Sequence, residues 1–169
     1  MDIQCACAQL SSQSEAIIAL ASGLTHEEAR WHPNPESWSV LIVMCHLVDE
    51  EILDFRSHID HILHTPDEPW PQIDPVGWVT EKRYANRNLS ETIEQFSAER
   101  YKSITWLKAI KNPDWEVSVN LPWGPLSAGI MLASWLAHDL LHLRQLSALR
   151  YDLTQAACQP YSVLYAGEW

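Results

Sequence analysis

The chain has 169 residues, 47% of them hydrophobic, and its 22 acidic against 11 basic side chains leave a formal charge of −11. That length predicts a single domain, residues 1–169, with a sizeable core. The acidic balance, with no basic patch, excludes a nucleic-acid backbone as partner, and no clean apolar run reaches about eighteen residues, so no membrane span is expected.

The opening MDIQCACAQL has an early acid and no basic stretch, which predicts no secretory leader. Cys5, Cys7, Cys45 and Cys158 are scattered and form no C-x-x-C. They are expected to be reduced, buried thiols of a cytoplasmic protein, not a zinc-thiolate site.

A first helix is predicted over 3–23 from Ala6, Leu10, Ile17, Ala21 and Leu24, with Gly23 as its stop. Thr25 and Glu28 match a capping box that opens a short helical turn before Pro33. WHPNPESWS, 31–39, is a loop by its two prolines and Asn34. A second helix follows over 39–64. Its start, VLIVMCHLV, is apolar except for His46, so the segment should be enclosed on every side and His46 buried. Glu50 lies one turn further along the same face. His58, His61 and His64 fall in the more polar half and are expected at the solvated surface.

Residues 65–88 carry Pro66, Pro69, Pro71, Pro75 and Gly77 together with Trp70 and Trp78. They are too long for a tight turn and too aromatic for a free linker, which predicts an ordered crossover packed on the helices. Arg83, Tyr84 and Arg87 are candidates for a pocket mouth, with plain surface as the alternative. A third helix is expected over 90–110 on Ile93, Phe96, Ile104, Leu107 and Ile110. Residues 115–121 alternate as a strand does, but no partner is evident, so an extended loop is expected, then a turn at 122–125. The fourth helix is predicted over 126–150 and is apolar almost all round, with partial helix near 153–158 beyond it.

His46, His138 and His142 stand in the most apolar parts of their helices. His138 and His142 are four residues apart and so share one helical face. Two readings fit. Three imidazoles can hold one metal and leave a position open for water or substrate. Alternatively, they form a buried cluster bonded to one another or to Glu50. An all-nitrogen set suits zinc or nickel, and also iron or copper. There is no H-E-x-x-H, no phosphate-binding glycine loop and no G-x-S-x-G.

Trp31, the run Pro35-Glu36-Ser37-Trp38-Ser39, His46-Leu47 and then His138-Asp139-Leu140-Leu141-His142 together resemble the DinB-like superfamily of DinB/YfiT-type bacterial proteins, from the first helix to about Tyr151. The resemblance implies an all-α four-helix bundle with a long crossover between helices two and three. It also implies a divalent metal, zinc or nickel by its ligands, held by His46, His138 and His142. It further implies a thiol-dependent S-transferase using a low-molecular-weight thiol on a small electrophile, or a metal-dependent hydrolase, and a homodimer. A non-catalytic, stress-related bundle is the competing class. On the enzymatic reading Glu50 is the candidate catalytic residue, orienting a ligand imidazole or accepting a proton, with an exposed carboxylate at the bundle end as the alternative. The mouth is expected to be rich in tryptophan. Asp139, turned about 100° from His138, should cap or pair with another helix rather than join the ligands. Cys45, turned likewise from His46, should not be the attacking sulfur. Arg144 and Gln145 are expected on the polar face, with substrate contact as the alternative.

Overall fold

The computed structural model describes residues 2–167. Helix α1 (Ile3–Ala21) opens where the Asp2 side chain accepts the backbone N–H groups of Gln4 and Cys5. It closes just before Gly23, whose φ of +75° is a conformation that side chains disfavour. The capping box is real: Thr25 and Glu28 exchange hydrogen bonds of 3.2 and 2.8 Å at the start of α2 (His26–Arg30).

Ser39 caps α3 (Val40–Asp49). The chain then passes without a break through a π-helical turn, Glu50–Asp54, into α4 (Phe55–His64). The second predicted helix is therefore one rod with a widened turn in its middle. Such turns accommodate an extra residue and re-aim the side chains beside them. Here Glu50, Glu51 and Asp54 are all buried.

The crossover is ordered, as expected, and contains α5 (Pro75–Glu81) and a 3₁₀ turn at Tyr84–Asn86. Trp78 and Tyr84 pack from it onto Leu41 and Cys45 of α3. Asn88 caps α6 (Leu89–Ala109), one residue ahead of the predicted start.

The extended loop is corrected to a two-stranded ribbon. β1 (Ser118–Leu121) pairs antiparallel with β2 (Gly124–Ser127), with Ser118 opposite Ser127. Its partner is not legible locally, because Gly124 and Pro125 read as a turn and Leu126 and Ser127 continue into the helical pattern that follows. That helix, α7, runs Ala128–Ala157, starting where Ser127 Oγ accepts the Ile130 N–H and absorbing the segment predicted near 153–158.

Helix α1 packs on α6 and α7, α3 on α6, and α4 on α7, giving a four-helix bundle. One core cluster gathers Leu10, Phe55, Ile59, Leu107 and Trp135, and another Ile17, Met44, Leu47, Phe96 and Leu146. Three expectations are overturned. Helix α7 is not enclosed on all sides, since Ile130, Leu140 and Leu141 are exposed. A helix on the outside of a bundle buries only one stripe however apolar its other face is. His58 and His61 are buried, not solvated. The folded-back crossover covers them: Trp70 stacks on His58 at 4.0 Å and meets His61 edge-on, and the His58 ring bonds Asp54 and the Pro71 carbonyl. Finally, Cys5 is exposed and Cys158 partly so, while Cys7 and Cys45 are buried; all four are free thiols. Among the described residues no helix is long and apolar enough to cross a membrane.

Candidate metal centre

His46 comes from α3 and His138 and His142 from α7, and the bundle brings the three rings together. One nitrogen of each lies within 4.8 Å of the other two. Ring centroids are 4.4 Å apart for His138 and His142, 4.9 Å for His46 and His142, and 5.5 Å for His46 and His138. Trp38 and Phe55 pack against the rings of His46 and His138, at 4.9 and 5.0 Å.

Hydrogen bonding fixes one tautomer. His142 Nδ1 donates to Gln145 Oε1 at 2.8 Å, which leaves its Nε2 lone pair facing His138 Nε2 at 3.1 Å. Two ligand nitrogens of one tetrahedral ion, each about 2.0–2.1 Å from it, stand at about this separation. The Nδ1 atoms of His46 and His138 are buried without a hydrogen-bond partner.

Burial pulls both His46 and His138 down to about 3, with the neighbouring imidazoles adding to the effect. His142 is lowered too, again chiefly by burial. All three are thus neutral near pH 7 and can offer lone pairs without first losing a proton. The donor set fits a borderline divalent cation.

Glu50 is buried, not a carboxylate at the bundle end, and its Oε1 lies 3.7 Å from His46 Nδ1. Burial pushes its carboxyl up to about 9, helped by Asp54 beside it and by Asp49 and Glu51. Cys45 faces away, toward Thr92 and the Tyr84 carbonyl, and burial raises its thiol to about 11, which suits no nucleophile. Asp139 pairs with Arg100 of α6, as its helical position implied.

Tyr84 and Arg87 are not at the mouth. Tyr84 Oη donates to Asp49 at 2.5 Å, and Arg87 approaches the same carboxylate on the crossover side of α3. Nor is the mouth rich in tryptophan. A cavity of about 480 Å³ opens beside His142 and Gln145, and Trp38 is its one indole. A second, of about 580 Å³, lies between His138, His142 and Arg144. Gln145, read from sequence as a polar-face residue, touches both cavities and bonds His142. Its spacing of three from His142 was the signal.

These groups give the metal-free protein a definite acid response. His46 and His138 titrate at about 3 in the fold and at 6.5 when free. Between those values the unfolded chain binds more protons, so their stabilisation is complete above pH 6.5 and lost as pH falls toward 3, at about 1.4 kcal/mol per unit each. Glu50 has the opposite sign: raised from 4.5 to about 9, it stabilises fully below 4.5 and loses that contribution as pH rises through 9. Urea unfolding of chelator-treated protein should therefore show greatest stability near pH 6.5. Glu50→Gln should lessen the decline above it, to which Glu51, likewise raised by burial, also contributes. Constant stability from pH 4.5 to 6.5 would contradict the buried neutral imidazoles.

The sequence matches the profile of the DinB superfamily over residues 9–146. Among solved structures, the fold is similar to YfiT from Bacillus subtilis, described as a probable metal-dependent hydrolase with an unusual four-helix bundle topology. The TM-score is 0.78 at 12% identity, covering 90% of this chain and 87% of that one. No curated protein matches the sequence.

Proposed function

The chain belongs to the DinB superfamily, and from that premise we propose that it is a metal-dependent enzyme whose divalent cation is held by His46, His138 and His142. The observation that carries this is the convergence of three neutral imidazoles from two helices, with one nitrogen of each within 4.8 Å of the others. The reaction we assign is S-transfer from a low-molecular-weight thiol to a small electrophile. In it the thiol S–H bond breaks, a C–S bond forms, and the leaving group departs with the proton. When bound, the metal supplies Lewis acidity that ionises a thiol, or water, near neutral pH.

The chain's own residues hold and orient. Gln145 fixes the His142 tautomer through its 2.8 Å bond. Glu50 is the neutral acid at pH 7, so it serves His46 as a hydrogen-bond partner rather than as a base. A shift of less than about 1 Å brings the pair to bonding distance. The Trp38 and Phe55 rings screen His46 and His138 from water. The cavity beside His142 is within the size range of small-molecule sites.

Glu50→Ala should weaken metal binding about 10–100-fold, the usual effect of losing a ligand's outer partner, while Glu50→Gln should recover most of it. Equal affinity in all three proteins, by competition with a chromophoric chelator, would remove Glu50 from this role. The reaction itself is tested by turnover of an activated electrophile with metal-loaded protein, chelator-treated protein and His142→Ala, each with and without thiol. Product should appear only with metal and thiol together. Turnover that needs metal but no thiol assigns a hydrolase instead, the activity ascribed to YfiT. Equal turnover in all arms rejects the metal-dependent reading, and turnover no faster than the protein-free rate in every arm leaves the non-catalytic bundle.

A further inference from the structure

His58 is not one of the proposed ligands, yet both of its nitrogens and one face of its ring are in use. The residue is 1% exposed. Its Nε2 donates to the Pro71 carbonyl at 2.9 Å, since a carbonyl can only accept. Its Nδ1 meets Asp54 Oδ1 at 2.6 Å, and this bond closes whether the proton sits on the ring or on the carboxyl. Trp70 stacks on the ring at 4.0 Å, with the two planes 9° apart. The crossover thus holds one side of His58, and the other side holds the end of the π turn.

That turn supports two of the three proposed ligands. Glu50, its first residue, sets Oε1 3.7 Å from His46 Nδ1. Phe55, directly after Asp54, packs on the His138 ring at 5.0 Å. The Phe55 N–H closes the turn on the Glu50 carbonyl. Asp54 lies between the two supports, and His58 is its one side-chain partner at hydrogen-bond distance among the described residues. A π turn sets the rotation of every side chain in it relative to the flanking α-helix. Whatever anchors Asp54 therefore also sets where Glu50 and Phe55 point.

We infer that His58 is a positioning residue for the metal centre: clamped by the docked crossover, it fixes Asp54 and so holds the π turn with Glu50 against His46 and Phe55 against His138. The inference rests on the proposed metal centre only for what the clamp serves. The clamp itself is a property of Asp54, His58, Trp70 and Pro71. It makes the crossover part of the site, because lifting Trp70 and Pro71 away releases His58 and, through it, the turn.

Two substitutions separate the clamp from mere packing. His58→Asn keeps an amide donor near the place of Nδ1, toward Asp54, and His58→Gln keeps one near the place of Nε2, toward Pro71. Both remove the ring and stay neutral, so a role in packing alone predicts similar effects. Hydrogen exchange of the Phe55 amide in chelator-treated protein reads the turn without any metal. It should quicken about tenfold in His58→Gln and stay within about threefold of wild type in His58→Asn. Zinc affinity, by competition with a chromophoric chelator, should fall about tenfold in His58→Gln, the lower end for loss of an outer partner, and less than about threefold in His58→Asn. Trp70→Ala, at a half-buried position, should move both readouts in the direction of His58→Gln. Leu107→Ala, a buried change near the C-terminal end of α6, should cost stability and leave zinc affinity unchanged. Equal Phe55 exchange in the Asn and Gln variants, or wild-type zinc affinity in His58→Gln, overturns the inference. If neither His58 variant folds, wild-type exchange and affinity in Trp70→Ala overturn it instead. A failure of the metal reading would appear separately, as wild-type protein that binds no divalent cation, and Phe55 exchange would still decide the clamp.

Discussion

His142→Ala is expected to abolish high-affinity metal binding, by more than the 10–100-fold that loss of an outer partner costs. In the proposed site the ring supplies one of three nitrogens, and its Nε2 is the atom whose lone pair hydrogen bonding already fixes toward His138. Stability reads the same event independently of activity. A cation at a hundred times its dissociation constant stabilises the native state by about 2.7 kcal/mol. Wild-type protein should show that gain on adding zinc or nickel, and His142→Ala should show none. Gln145→Ala should fall between them, because it keeps all three ligands and loses only the bond that orients one. A His142→Ala protein with wild-type affinity would place the ion elsewhere.

Arg100→Met is expected to be the most damaging single change outside the ligands, at about 3–5 kcal/mol, as when one partner of a buried ion pair is removed. Arg100 is almost wholly buried and makes four hydrogen bonds and one further ion-pair contact. Its Nε bonds Glu51 at 2.9 Å, and one terminal nitrogen reaches the same Glu51 oxygen at 2.6 Å. Asp139 is gripped by two contacts of 2.5 and 2.9 Å, and the Leu10 carbonyl accepts at 3.0 Å. Trp135 Nε1 also donates to Glu51, at 3.0 Å. Burial works against the guanidinium charge, but Glu51 and Asp139 more than offset it and raise its pKa. Without Arg100 both carboxylates are buried and uncompensated. Replacing all three, with Arg100→Met, Glu51→Leu and Asp139→Leu together, should recover most of the loss, because no buried charge then remains. Equal destabilisation in the single and triple variants would show that shape rather than charge matters at this site. The network joins α1, the π turn, α6 and α7, and Asp139 is the neighbour of His138 in sequence. Loss of Arg100 should therefore loosen the metal centre as well as the bundle.

Arg100 went unread in the sequence although a sign of it was there. It stands four residues after Phe96 and four before Ile104, inside the apolar stripe of α6. A charge in such a stripe needs a buried partner, but nothing local names which acid supplies it. Glu51 and Asp139 are 49 and 39 residues away in sequence. The same limit hid the ribbon partner of β1, and it hid the burial of His58 and His61 under Trp70.

The sequence by itself determined what depends on neighbours within a few residues. The helices, the cap at Thr25, the place of the long crossover and the shared face of His138 and His142 all follow from periodicity and local hydrogen-bonding chemistry. The continuous apolar run around His46 likewise foretold its burial. Only the tertiary structure decided that His46 meets that pair, that Glu50 faces His46 from within a π turn, and that α7 leaves Ile130, Leu140 and Leu141 exposed. These depend on how far each rod is rotated about its own axis when it packs, and a widened turn or a folded-back loop resets that rotation without altering the local pattern.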